Sequence, residues 1–121
     1  LYYEDEDLCL RVFQARGQIL VLPHVRVTHL SRGSVKGDRP WLAEYGRGFH
    51  HAQSKLLFTW KHAGADAARR QRRRVLASSV LNVLARMLLP SPRHLARAWG
   101  RFRGLRALNL DAMSRTRSPA V

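Results

Sequence analysis

The sequence predicts an α/β fold, in which one helix and two strands precede a series of amphipathic helices. Residues 18–22 form a short apolar run that stops at Pro23, which is typical of a buried strand. Residues 25–30, VRVTHL, alternate between apolar and polar side chains and predict a second strand over residues 26–30. After residue 67, apolar residues recur at three- and four-residue intervals, which predicts helices.

The first element is predicted to be a helix over residues 4–16. It opens with four acids, EDED, and the helix dipole favours acidic side chains in the first turn. Gly17 is a natural residue to end this helix, because glycine readily adopts the left-handed conformation found there. The apolar residues expected on one face of the helix are Leu8, Cys9, Val12 and Phe13.

Further helices are predicted in the second part of the chain. Residues 41–64 are expected to hold one or two helices, with the terminal glycine as a stop. A helix over about residues 67–89 carries an apolar stripe, and the PSP sequence at residues 90–92 ends it because proline cannot continue a helix. A third helix over about residues 92–108 places leucine and aromatic residues on one face. The tail, residues 111–121, is predicted to be disordered.

Charge divides the chain into unequal parts. The 121 residues carry a formal net charge of +14, and residues 1–38 contain equal numbers of acids and bases, so the whole excess lies after them. This asymmetry suggests two parts with different partners. The bounds expected for them, a first domain over residues 1–64, a basic helical extension over residues 65–110 and the tail over residues 111–121, follow from the family resemblance given next. The single cysteine, Cys9, excludes an internal disulfide and favours a reducing compartment.

The first 64 residues resemble the C-terminal half of the catalytic domain of family two glycosyltransferases. The shared pattern is an aromatic residue, the motif E-D-x-D-L-C-x-R, a helix, a glycine, a strand ending in proline, and a strand ending in histidine with a serine shortly after. Here it reads Tyr3, EDEDLCLR at residues 4–11, Gly17, Pro23, His29 and Ser34. The later segment HAQSKLLFTWKHAG is similar to one that follows in many members. These are inverting, rhamnosyltransferase-like enzymes of the GT-A fold, so the resemblance implies a Rossmann-like sheet.

The resemblance implies transfer of a sugar, with inversion, from a nucleotide-sugar donor to a saccharide or lipid-linked acceptor. Asp5 corresponds to the family's general base, which takes the proton of the attacking hydroxyl, and Glu4 precedes it in the motif. Asp7 would orient acceptor hydroxyls, and Arg11, four residues later, would support Asp7 by an ion pair. His29 would bind a divalent cation, Mg²⁺ or Mn²⁺, that stabilises the diphosphate leaving group.

The resemblance also implies that part of such an enzyme lies upstream of this chain. The sequence starts at Leu1, within what reads as an element, so we expect a C-terminal fragment. The nucleotide site would lie mostly in the missing half, because no glycine-rich phosphate loop occurs in this sequence. The fragment alone is therefore expected to be inactive. A simpler interpretation of EDED, a charged helix start, stays open beside the catalytic one.

The basic second half has interpretations that need no enzyme. Arginine-rich faces beside apolar stripes are typical of helices on anionic membrane surfaces, which predicts a cytoplasmic protein, peripheral at the inner face of the cell membrane. Nucleic acid is a disfavoured partner, because no zinc-finger, RRM-like or helix-turn-helix signature accompanies the run RRQRRR at residues 69–74. The alternative function is thus a non-catalytic basic helical module that binds an anionic membrane surface or nucleic acid. A further alternative is that the apolar faces of these helices pack against the rest of the protein or form a dimer.

Overall fold

The regular structure of the described residues is helical. The structure, a computed structural model, describes residues 2–28, 39–88 and 91–116. Its helices are α1 (Glu4–Gln14), α2 (Pro40–Leu88), α3 (Pro92–Ala107) and α4 (Leu110–Thr116). No strand occurs within these three ranges.

The predicted α/β fold is therefore wrong. Residues 18–22 and 26–28, within the strands predicted over residues 18–22 and 26–30, lack regular structure and face solvent, with Val21 and Val27 each 84% exposed. Residues 29 and 30 lie outside the described residues. Short strands are stable only when they pair with neighbours and bury one face, and the described ranges provide no strand for these residues to pair with. The resemblance to family two glycosyltransferases is overturned by the same finding, because a GT-A domain is built on a sheet.

Helix α2 folds back on itself at Gly64. This residue has φ 84° and ψ 172°, and glycine adopts such a left-handed φ without the strain that a Cβ atom would cause. It separates a first arm, residues 40–63, from a second arm, residues 65–88. Trp41 and Met87 line one cavity at the far end of the two arms, so the arms run antiparallel as a helical hairpin. The glycine that the sequence marks as a helix stop is thus the turn of the hairpin.

Helix α3 packs along the first arm through glycines. Gly48 of the first arm and Gly100 and Gly104 of α3 are buried, and a Cβ atom on any of them would collide with main-chain atoms of the opposite helix. Two helix backbones can approach this closely only where side chains are missing. Gly100 meets Tyr45 and Gly104 meets Phe49, in the same order along both helices, so α3 runs parallel to the first arm.

The core lies where the two arms of α2 meet α3 and α4. Its buried apolar residues are Ala52, Leu56, Ala68, Leu105 and Leu110. Further apolar side chains pack against this cluster, among them Trp60, Val75, Leu76, Leu108 and Met113. The domain boundary predicted at residue 64 falls at the hairpin turn, and residues on both sides of it share this core.

The beginning of the predicted disordered tail is ordered. The sequence predicts disorder from residue 111, whereas α4 spans Leu110–Thr116. Asn109 caps this helix, since its Oδ1 accepts a hydrogen bond from the main-chain N–H of Ala112 at 3.0 Å. Leu110 is buried in the core, and that contact explains the order of a segment that is polar in sequence. Residues 117–121 of the predicted tail lie outside the described residues.

Candidate functional site

One end of the helical hairpin exposes large apolar side chains. This end joins the start of the first arm, the last turns of the second arm and the first turns of α3. Its exposed apolar residues, called the apolar end below, are Trp41, Leu42, Leu84, Met87, Leu88 and Trp99. Each is between 47% and 84% exposed. A concentration of exposed apolar side chains at one place, unlike single surface leucines, marks a surface that contacts a partner or a membrane.

An apolar cavity of about 560 Å³ opens within this end. Trp41 of the first arm, Val83 and Met87 of the second arm and Trp99 of α3 line it, and none of the described residues in its lining is polar. The Trp99 ring also stacks on Phe102, with 5.4 Å between the ring centroids. Water in such a groove finds no hydrogen-bond partners, so filling the groove with apolar groups is favourable.

Arginines flank the apolar end in sequence. Residues 39–43 and 81–99 contain Arg39, Arg86, Arg93 and Arg97 and no Asp or Glu. None of these four arginines forms an ion pair with a carboxylate in the described part of the chain. Exposed tryptophan and leucine beside unpaired arginine is the pattern of surfaces that bind the headgroup region of a bilayer. Within the described ranges, no helix has the length and apolar content that crossing a bilayer requires.

The predicted site residue with the most contacts is Asp7 on α1. The Lys61 ammonium donates hydrogen bonds to both carboxylate oxygens of Asp7, at 2.6 and 2.7 Å. His62 Nε2 lies 2.7 Å from Asp7 Oδ1. Arg11 Nε lies 3.1 Å from Asp7 Oδ2, which is the i, i+4 ion pair that the spacing predicts. Asp7 thus connects α1 to the end of the first arm of α2.

Aromatic rings add to this contact between α1 and the first arm. The ring centroids of Tyr2 and Tyr3 lie 5.4 and 5.6 Å from that of His51, and Tyr3 lies 5.4 Å from Phe58. Phe58 in turn packs against His62 at 4.8 Å. No residue of α1 itself is buried. The position of α1 therefore depends on few contacts, and the charge of the Asp7 carboxylate is central to them.

We expect α1 to detach from α2 as the pH falls from about 4 to about 2. Hydrogen bonds from Lys61 and His62, with the charges of Lys61 and Arg11, lower the pKa of Asp7 from an ordinary 3.8 to about 2, although desolvation opposes the shift. Because the folded-state pKa lies below the ordinary one, the stabilisation is present above pH 3.8 and is lost as the pH falls through about 2. An NMR titration of the Asp7 carboxyl, with the amide shifts of residues 4–14, measures this.

The control for this titration is Asp7→Asn, in which the amide shifts of α1 should no longer follow a transition in that pH range. Asp5→Asn, a change of the same kind on an exposed residue of the same turn, should leave the transition in place. A transition that persists in Asp7→Asn would show that another group holds α1.

Of the other predicted site residues, Glu4 lines a pocket of about 330 Å³ together with Asp7 and Lys61. Glu4 and Asp5 occupy the exposed first turn of α1. His29 lies outside the described residues, so its predicted approach to the acids is untested. The histidine that contacts Asp7 is His62, which sequence reasoning missed. The described residues hold no group of three His, Cys, Asp or Glu close enough together to bind a metal ion. Catalysis by Asp5, acceptor binding by Asp7 and the use of Mg²⁺ or Mn²⁺ stay predictions.

Similarity to known proteins does not point to a function. Comparisons of the chain with protein-family models, with curated proteins and with solved structures found no match. The resemblance to family two glycosyltransferases, already overturned by the helical fold, gains no support from them. The features that bear on function are therefore those of the surface of the helical hairpin.

Proposed function

We propose that this chain is a non-catalytic helical module that binds peripherally to an anionic membrane surface through its apolar end. The observation that carries the proposal is the exposure of Trp41, Leu88 and Trp99 at the same end of the molecule as a group of unpaired arginines. The cytoplasmic leaflet of the cell membrane is negatively charged and fits this chemistry. The inner face of that membrane is therefore the proposed location.

Three physical contributions would act together at the bilayer. Tryptophan is favoured between headgroups and hydrocarbon, because its ring is apolar and its N–H still finds a hydrogen-bond acceptor. Met87 and Leu88 would enter the outer hydrocarbon, which stabilises binding by about 0.8 kcal/mol for each buried methylene. Each arginine near the surface adds about 1 kcal/mol at low salt. Four arginines would then raise the affinity about a thousandfold.

A membrane is a better partner for the apolar end than nucleic acid is. The apolar end is also a better membrane-binding surface than the other exposed apolar stretch of the chain. Nucleic-acid phosphates would attract the arginines but would leave Leu88 and Met87 in water. Residues 18–22 also expose apolar side chains, but few bases accompany them and they follow the acidic first turn of α1. The acid nearest to the apolar end in the first arm, Glu44, is paired with Arg47 at 3.0 Å.

Vesicle co-sedimentation tests the proposal. The protein should bind vesicles containing phosphatidylglycerol, bind neutral phosphatidylcholine vesicles much more weakly, and dissociate from the anionic vesicles as salt screens the attraction. Leu88→Glu should weaken binding to anionic vesicles about tenfold or more, because it removes an inserting side chain and adds a repelled charge.

A matched control separates insertion of the apolar end from net charge. Val21→Glu makes the same change of charge at a residue with the same 84% exposure, but in the segment without regular structure that follows α1. It should weaken vesicle binding far less than Leu88→Glu does. Equal losses in the two variants would contradict the proposal. So would a concentration-dependent dimer, seen by sedimentation velocity, that Leu88→Glu abolishes while vesicle binding is unchanged.

A further inference from the structure

A second cavity, of about 300 Å³, lies between the second arm of α2 and α3. Unlike the apolar groove formed by the same two helices, it is polar and basic. The polar residues that line it are Ser79, Asn82, Arg86, His94, Arg97 and Arg101. No carboxylate from the described residues takes part in the lining.

Three arginines face this cavity without a counter-charge. Arg97 and Arg101 lie one turn apart on α3, and Arg86 joins them from the second arm of α2. In the part of the chain that the structure describes, no carboxylate pairs with any of the three. Like charges at i, i+4 repel each other. A bound anion would remove this repulsion, so the arrangement is one that a negative ligand stabilises.

Ser79 brings a buried hydroxyl without a described hydrogen-bond partner to the wall of the cavity. Its side chain is fully buried, and its Oγ has no hydrogen-bond partner among the described atoms. A serine inside a helix can bond to a carbonyl of the preceding turn, as Ser78 Oγ does to the carbonyl of Val75 at 3.0 Å. A buried hydroxyl without a partner is unfavourable. An acceptor oxygen of a ligand would satisfy it.

The remaining polar groups of the cavity can also act as donors. His94 Nδ1 is engaged by Ser91 Oγ at 2.7 Å, so Nε2 is the ring nitrogen left to bind elsewhere. Asn82 Nδ2 donates to the carbonyl of Ser78 at 2.8 Å and carries a second N–H. Burial, followed by the charges of Arg101, Lys55 and Arg97, lowers the pKa of the neighbouring His51, so the positive charge of this region acts beyond the cavity.

We propose that this cavity binds a phosphomonoester group, with Arg86, Arg97 and Arg101 around its oxygens and Ser79 donating a hydrogen bond to one of them. Arginine suits this role, because its planar guanidinium donates two hydrogen bonds to a phosphate at once. A phosphomonoester carries a charge of about −1.5 to −2 at neutral pH, which balances much of the charge of three arginines. The volume is at the lower end of the range for ligand sites, about 300–1,000 Å³, so a small ester substituent fits beside the phosphate.

The phosphate group could belong to a soluble molecule or to a lipid. The cavity lies at the same level along the second arm and α3 as the apolar groove, since residues 82 and 86 line the one and residues 83 and 87 the other, and both are lined from residues 92–101 of α3. A lipid whose headgroup ends in a phosphate could therefore reach it from a bilayer. Binding of a soluble phosphate needs no membrane, so the two proposals can fail separately.

Calorimetry with inorganic phosphate and with glycerol 3-phosphate, at constant ionic strength, tests the site. The protein should bind one equivalent of each in a saturable way, and chloride should not compete. Arg97→Gln should weaken binding about tenfold or more, since it removes a charged hydrogen-bond donor at an exposed position where folding is not at risk. Arg73→Gln is the matched control, because Arg73 is exposed, loses the same charge and does not line the cavity. Absence of saturable binding, or an equal loss in both variants, would overturn the proposal.

Ser79→Ala provides a second test, in which the melting temperature without phosphate should rise and the further rise caused by phosphate should become smaller. Without phosphate, the variant should melt at a higher temperature than the original protein, because an unsatisfied buried hydroxyl is gone. The rise in melting temperature caused by phosphate should be smaller in the variant. A variant that melts lower without phosphate, and gains as much from phosphate as the original protein, would show that Ser79 has no part in the site.

Vesicles distinguish the two sources of the phosphate. If a lipid supplies it, vesicles with phosphatidic acid should bind more tightly than phosphatidylglycerol vesicles of equal surface charge, and Arg97→Gln should remove that preference. If the ligand is soluble, the preference should be missing while glycerol 3-phosphate still binds. A single-stranded RNA without terminal phosphates that displaces glycerol 3-phosphate from the site would overturn the assignment to a phosphomonoester.

Discussion

Replacing Gly100 with alanine should separate α3 from the first arm of α2 and destabilise the protein by about 3 kcal/mol or more. The new Cβ would overlap the carbonyl oxygen of Tyr45 and would lie 3.1 Å from the main-chain nitrogen of Phe49. These are main-chain atoms, which cannot rotate aside as a flexible side chain can, so the whole helix must shift. Overpacking usually costs about 1–3 kcal/mol, and a collision between backbones lies at or above the upper limit. Urea denaturation followed by circular dichroism measures the change.

Gly46→Ala is the internal control for this experiment, and its effect should have the opposite sign. Gly46 also lies in the first arm of α2, but a Cβ atom there meets nothing within 4 Å. Alanine is favoured over glycine inside a helix by about 1 kcal/mol, so Gly46→Ala should stabilise the protein. If both variants lost stability equally, the close approach of α3 to the first arm would be disproved.

Leu56→Ala is the second change with a large expected effect, about 2–5 kcal/mol of lost stability. Leu56 is 1% exposed and belongs to the cluster in which the arms of α2 meet α3 and α4. Truncation removes its buried methyl groups and leaves a cavity. The helices cannot easily move to fill this cavity, because close contacts at glycines hold them in place. Leu57→Ala, one residue later but 37% exposed, should cost less than about 1 kcal/mol. Thermal denaturation of the two variants gives the comparison, and similar losses would place the core elsewhere.

The helices could be predicted where their signals are local. The acids at the start of α1, the glycine at residue 64 and the prolines at residues 90 and 92 each act within a few residues, and the structure has helix boundaries near all of them. The 3.6-residue period needs no knowledge of the partner helix. The Asp7–Arg11 ion pair is predictable for the same reason, since both residues lie on one helix.

The errors arose where distant contacts decide the structure. A short apolar run such as residues 18–22 fits a strand only if another strand pairs with it, and periodicity cannot supply that information. Helix α4 was missed because its order depends on Leu110 reaching a core built from α2 and α3. Its one local signal is Asn109, which caps the helix.

The candidate sites depend on tertiary contacts in the same way. Lys61 and His62 are far from Asp7 in sequence, and only the docking of α1 on the first arm brings them together. The phosphate cavity combines Arg86 with Arg97 and Arg101 across the break between two helices. The sequence draws attention to RRQRRR at residues 69–74, yet the arginines that share a cavity lie elsewhere, because it is the packing of α3 that selects them.

The turn at Gly64 determines where this chain can tolerate insertions and deletions. Because a single residue reverses the direction of α2, the arms meet without slack, and residues equally distant from the turn face each other. Adding or removing one residue in either arm would rotate everything beyond it by about 100° and shift it by about 1.5 Å. Trp41 would then no longer share a cavity with Met87. Insertions and deletions before residue 40 are compatible with both proposed sites, because the described part of the segment after α1 has no regular structure. Between Trp41 and Met87 they are not compatible with these sites.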